Sequence, residues 1–292
     1  MTVDPVRRLR ARAGTALFLR VAGPHGERSR HRIHHRPGPR WFAPDAAIRQ
    51  VHGDASMFVG GLRSLLLQSL HPAAMAAVAE HSGYRADPWG RLSRTSTFLA
   101  VTVFGTAEDA QAAVDAVRTI HGRIRGVTAD GIAYAADDPD LLRWVHVAEI
   151  ESFLDAHQRY GTDPLTPARA DEYVAQAARI GRAMGAVDVP ETVADLHAAI
   201  ASYRPVLRAT PAALDAAAFL LREPPVPPAL RLGYTALAQP AVASLPAWAV
   251  DGLGLAPVGR ARGTAAHWAG RQATRTVRWL LAGQDTAAAQ AA

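Results

Sequence analysis

The sequence contains no cysteine and no lysine; all 32 basic residues among its 292 are arginine. The missing thiols exclude disulfides, thiolate zinc sites, iron–sulfur clusters, thiolate-ligated haem and cysteine nucleophiles. The missing lysines exclude a phosphate-loop lysine, a Schiff base to pyridoxal phosphate and the β3 lysine of kinases. Wholesale use of Arg beside abundant Ala reads as the imprint of a GC-rich bacterial genome. No apolar secretory region opens the chain. Residues 232–250, the longest stretch without Asp, Glu or Arg in the C-terminal third, are interrupted by Pro240 and Pro246 and read poorly as a spanning helix. The expectation is a cytoplasmic protein, with room for peripheral contact with a membrane. The sequence also lacks G-x-S-x-G, H-E-x-x-H and G-x-G-x-x-G, and no Glu has His three positions on, as a di-iron bundle requires.

With 49% hydrophobic and 20% charged residues, the chain suits one large domain with an ample core. Its charge is uneven. Residues 1–40 hold ten Arg against Asp4 and Glu27, so this stretch carries +8 and the remainder −2. The basic N-terminal arm, residues 1–40, suits an anionic partner or surface, or is a solvated extension packed on the body. A nucleic-acid partner is not expected. Near the C-terminus, His267, Arg271, Arg275 and Arg278 share one helical face, with Trp268, Trp279 and Leu280 elsewhere. Such a helix rests on a membrane surface or packs on the body.

Helix punctuation is dense. Pro72, Asp87-Pro88, Asp138-Pro139, Thr166-Pro167 and Thr210-Pro211 each set a first-turn proline, mostly behind a small polar cap. Thr106 opens a helix read from Ala107 to Arg125 and closed by Gly126. Asp130-Gly131 between Val127 and Tyr134 predicts one short hairpin. The expected fold is all-α, a single domain over residues 41–292 behind the arm.

Two clusters carry chemistry. Ala110, Val114, Val117, His121 and Ile124 form an apolar stripe, which turns His121 toward the core. An inward neutral imidazole in a thiolate-free helical protein suits a haem iron, and equally a structural histidine bonded within the core. Arg118 and Arg125, three before and four after, could reach haem propionates. On the preceding helix Arg91, Arg94, Thr95 and Phe98 share a face. Their donors could orient dioxygen and stabilise charge developing on it, or lie on a solvated surface. His71, His81 and His146 read as capping or core residues.

Several strings resemble the MpaB-type oxygenase family, which shares its catalytic domain with the rubber oxygenases (latex clearing proteins). They are Gly61-Leu-Arg-Ser-Leu-Leu-Leu-Gln-Ser-Leu-His-Pro72, His81-Ser82, Asp87-Pro88, Arg91-Leu-Ser-Arg-Thr95, residues 117–126 and residues 138–146. The resemblance implies a globin-like helical core that binds haem b, with His121 as axial iron ligand between Arg118 and Arg125. It implies a distal side lined by Arg91, Arg94 and Thr95. Arg94 stands where the rubber oxygenases carry Lys, and Met75 stands at the spacing of their distal Glu. The implied activity is haem-dependent oxygenation of a lipophilic small molecule by dioxygen bound opposite His121. The alternative is a non-enzymatic haem-binding protein for storage, sensing or transfer.

Overall fold

The computed structural model describes residues 5–291, with side chains for residues 6–282. Residues 1–4 of the basic arm, Asp4 among them, lie outside the described residues. The expected all-α architecture is what the chain adopts: fourteen α-helices and one two-stranded hairpin among the described residues.

The helices begin where small polar residues satisfy the free amides of a first turn. Asp87 accepts from the Gly90 amide at 2.9 Å, Thr106 from Asp109 at 3.1 Å, and Asp138 from Asp140 at 2.8 Å. Each such cap stabilises its helix by about 1 kcal/mol. Pro88 and Pro139 occupy positions whose missing amide has no helical partner to lose. These caps fix α5 (Pro72–His81), α6 (Pro88–Phe104), α7 (Ala107–His121) and α8 (Pro139–Tyr160). They are preceded by α3 (Ala47–His52) and α4 (Met57–Gln68), and followed by α9 (Pro167–Met184), α10 (Val193–Tyr203) and α11 (Pro211–Leu221).

The long helix α8 runs through the core. Its Trp144, Val147 and Ala148 are fully buried with Ile48 and Val51 of α3, Leu66 and Leu67 of α4, Tyr173 and Val174 of α9, and Leu196 of α10. Close approach of α4 to α8 depends on Gly60, where a Cβ would stand 2.9 Å from Phe153 and 3.1 Å from the Ser152 carbonyl. Beside it Arg63, 2% exposed, reaches across to α8. It binds both Glu151 oxygens, donates to Ser152 Oγ at 2.7 Å, and donates through Nε to the Ser244 carbonyl at 3.2 Å.

Two local readings differ from the structure. Helix α7 stops at His121 instead of Arg125. The amide of Ile124 turns back to the His121 carbonyl, and β1 (Arg125–Val127) then pairs antiparallel with β2 (Ala133–Ala135). Pairing ten residues downstream wins over a helical pattern that continued on paper. Next, the sequence reading placed no element before residue 44. In fact α1 (Pro5–Ala22) lies on α6, where Ser93 and Ser96 donate to the carbonyls of Ala22 and Val21. The second helix, α2 (Gly26–His35), follows it there. Helix α14 (Arg260–Ala291) packs on the body, one of its two expected placements, through Gly270, Thr274 and Val277. His267 meets the Tyr160 hydroxyl at 2.6 Å and Arg278 binds Asp54 at 2.7 and 3.0 Å, while Trp268 and Trp279 face out. Between α11 and α14 lie α12 (Arg231–Ala243) and α13 (Ala247–Gly252). Among the described residues, no helix is long and apolar enough to cross a membrane.

Candidate functional site

Helices α6 and α7 are joined by only Gly105 and Thr106 and pack on each other, so they form an antiparallel hairpin. Arg91 lies thirteen residues before the turn-side end of α6 and His121 fourteen beyond that of α7. At about 1.5 Å per residue, each is some ~20 Å from the turn, so both stand at the same end of the hairpin. That geometry sets the two sequence clusters at one end of the hairpin.

Their members differ in what holds them. His121 is half-buried, and its Nδ1 is fully buried with no hydrogen-bond partner. Burial holds its pKa below the ordinary histidine value against the opposing pull of Asp137, so the ring is neutral at neutral pH. A buried ring nitrogen without a partner in a helical core calls for an explanation, and a bound ligand is one. Arg118, three residues before, donates to the Ala183 carbonyl at 2.9 Å and so ties the last turn of α7 to the C-terminus of α9. Arg125 has left the helix. From β1 it binds Asp137 at 2.6 and 3.0 Å, next to the cap of α8. The expected shared face of Arg118, His121 and Arg125 is therefore limited to the first two.

On α6, Arg91 is half-buried, and its guanidinium has no hydrogen bond or ion pair among the described residues. Burial lowers the pKa of its guanidinium, opposed by Tyr84 and reinforced by Arg94. Arg94 is exposed and contacts Asp87, the cap of its own helix, at 3.3 Å. Thr95 is exposed, and Phe98 is partly buried. On the elements that carry these groups, Leu92, Ile120, Val127 and Ile132 are all exposed large apolar residues. Apolar surface of that kind fits a lipophilic ligand better than water. Beside the N-terminus of α6, a cavity of about 520 Å³ opens between the α5–α6 loop and α11. There Tyr84 donates to Asp215 at 2.6 Å and Arg85 binds the same carboxylate at 2.6 and 2.8 Å.

A group whose iron takes one ligand from the protein fits this donor set: a neutral, unpartnered His121 on one helix and an unpartnered Arg91 on the other. No group of three or more His, Cys, Asp or Glu that could hold a bare metal ion occurs among the described residues, and a porphyrin-held iron needs none. The other histidines singled out in the sequence have structural settings. His71 accepts from the Ala74 amide as a helix cap, His81 lies 3.8 Å from Glu80, and His146 is buried against Gly181.

The family model for the catalytic domain of ER-bound oxygenase mpaB/B′ and rubber oxygenase matches residues 49–279. The chain belongs to this family. Both clusters lie inside the matched span, and α1 and α2 lie outside it. Two uncharacterized proteins, one from Mycobacterium bovis and one from Mycobacterium tuberculosis, are each 35% identical to the chain over 105 residues. Those residues are 36% of this chain and 39% of the length of each relative. No solved structure matches the chain.

Three titratable groups deeper in the fold of this oxygenase-family domain have no charged partner, and of them the sequence reading singled out only His146, as a core residue. His52 has both ring nitrogens buried without partners, its ring 5.2 Å from that of Phe153, and burial drives its pKa to about 3. Burial and Arg182 drive His146 to about 4. Glu149 makes no hydrogen bond or ion pair among the described residues, and burial raises its carboxyl to about 7. The signs oppose. Both histidines fold neutral, so their contribution is present above about 6.5 and is lost as the pH falls. Glu149 folds protonated, so its contribution is present in acid and is lost as the pH rises through 7. Below about pH 6.5 the two histidines outweigh the one carboxyl, so from these groups thermal stability should rise with pH and level off near pH 7. Glu149→Gln should stabilise the fold at pH 8 by about 2 kcal/mol, after discounting for solvent screening, and by less than half as much at pH 5. Melting curves at the two pH values check this; an equal effect at both would remove the titration of Glu149 as the cause.

Proposed function

We propose that this chain is a haem b-dependent oxygenase that uses dioxygen to oxidise a lipophilic small molecule, with His121 as the iron ligand. Family membership supports the reaction class. The observation that carries the haem reading is the neutral, unpartnered imidazole of His121 standing at the same end of the α6–α7 hairpin as Arg91. When bound, the haem supplies the iron centre at which dioxygen is activated.

The chain's own residues do the rest. His121 offers a ring-nitrogen lone pair without first losing a proton. Arg118 and Arg125 hold the end of α7 and the strand that follows it, through the Ala183 carbonyl and Asp137, and so position His121. Arg91 brings a positive charge with no carboxylate to neutralise it, available to oxygen-borne negative charge as it develops. Arg94 steadies the N-terminus of α6 through Asp87 and leaves the Thr95 hydroxyl accessible. The exposed Leu92 and Ile120 favour an apolar substrate over a charged one.

Purified protein reconstituted with haemin should show a Soret band and consume dioxygen with a lipophilic alkene. Arg91→Ala should retain the band and lose about a hundredfold in turnover, the usual cost of removing an aimed donor. Loss of the band in Arg91→Ala would move that residue from oxygen chemistry to haem binding. Reversible gas binding without turnover of any alkene would favour the non-enzymatic haem-binding alternative.

A further inference from the structure

Helices α1 and α14 lie against each other. Arg10 joins them, its Nε donating to the Trp279 carbonyl at 2.6 Å and its guanidinium standing 4.8 Å from the centre of the Trp279 ring. The outward faces of this pair share a composition. On α1, Leu9 is 70% exposed among exposed Arg7, Arg8 and Arg12. On α14, Trp268, Arg271, Arg275 and Trp279 recur at i, i+3, i+7 and i+11, which is one stripe, and all four are exposed. Neither α1 nor residues 260–282 of α14 contain Asp or Glu.

We propose that this paired face docks on an anionic lipid bilayer. Trp268, Trp279 and Leu9 would enter the headgroup boundary while the arginines meet lipid phosphates. The orientation of α14 points that way. A terminal helix that carries tryptophans normally buries them, whereas α14 packs on the body through Gly270, Thr274 and Val277 and sets both tryptophans out beside Arg271 and Arg275. His267, Thr274 and Arg278 are turned inward onto Tyr160 and Asp54, which leaves Trp268 65% exposed. Tryptophan prefers the boundary between apolar and wet layers, and a cluster of arginines beside it prefers negative charge. An anionic bilayer supplies both. The family match begins at residue 49, so α1 lies outside the matched domain while α14 to residue 279 lies within it. The proposal does not depend on haem or on catalysis.

The test is co-sedimentation of the full chain with vesicles of phosphatidylcholine alone and of phosphatidylcholine mixed with phosphatidylglycerol, at about 0.1 M salt, where charge still acts over roughly 10 Å. Binding is expected only to the mixed vesicles. It should fall about a hundredfold when Arg7, Arg8 and Arg12 are all changed to Ser, at roughly fivefold per arginine. Trp268→Ser, at a site open to solvent, should weaken it about tenfold. Far-UV circular dichroism should be unchanged in both variants. No binding to the mixed vesicles overturns the proposal. So does full binding by the triple-Arg variant, or retention on duplex DNA with none on vesicles.

Discussion

His121→Ala should give a protein that folds but holds no haem: helical circular dichroism intact, the Soret band absent after reconstitution. The expected loss is complete, because no second His, Cys or Lys stands ready at that end of the hairpin. Cys and Lys are missing from the whole sequence, His71 caps α5, His81 lies beside Glu80, and His146, whose Nε2 also has no partner, is only 8% exposed and packed against Gly181. A structural histidine makes the opposite prediction for the haem-free protein. Removing a hydrogen-bonded core imidazole costs about 1–3 kcal/mol, whereas removing a ring whose buried Nδ1 has no partner relieves an unmet desolvation cost. The haem-free variant should therefore be at least as stable as the haem-free parent. His121→Gly with added imidazole should restore a haem spectrum, since the ring can then bind without its tether. A full Soret band in His121→Ala would end the assignment, and a large drop in stability would make His121 a core residue.

What could be read from sequence was what depends on neighbours three or four residues apart. The Thr106 and Asp138 caps, the prolines behind caps and the Asp130-Gly131 turn were all legible, because a cap or turn is written within one short segment. The inward direction of His121 was legible for the same reason. The partners of its flanking arginines were not. Arg118 finds a carbonyl 65 residues away, and Arg125 leaves the helix for a strand whose partner begins eight residues later. The ten arginines of residues 1–40 suggested an arm by charge alone. Yet Gly14 and Ile33 are buried, and α1 and α2 lie on α6. Long side chains can keep charged heads in water while the helix beneath them packs on its neighbour. In α14 the packing on the body was expected, but not that Arg278 would pair with Asp54, 224 residues away. The string Gly61-Leu-Arg-Ser served only as a mark of resemblance, and its Arg63 proves to be a buried tie between α4 and α8.

That tie predicts the largest change in stability. Arg63→Ala should destabilise the fold by about 3–5 kcal/mol, enough to lower the melting temperature by roughly 10 °C or more. The side chain is 2% exposed and Glu151 13%, so truncation leaves a carboxylate enclosed with its bidentate partner gone. Asp155, 3.7 Å from Arg63 Nε, adds a second negative charge nearby, though Arg159 still pairs with it at 2.8 Å. The Ser152 hydroxyl and the Ser244 carbonyl lose bonds of 2.7 and 3.2 Å as well. The cost comes from the stranded charge more than from the net worth of the pair, and that has its own consequence. Replacing both members with apolar residues of similar size, as Arg63→Met with Glu151→Leu, should recover most of the loss, because neither charge then has to leave water. Chemical denaturation of the single and double variants measures the difference. If Arg63→Ala costs less than about 1 kcal/mol, the pair behaves as a solvated surface bridge. If the double variant is as unstable as the single, the bonds to Ser152 and Ser244 and the packing of the guanidinium between α4 and α8 dominate instead.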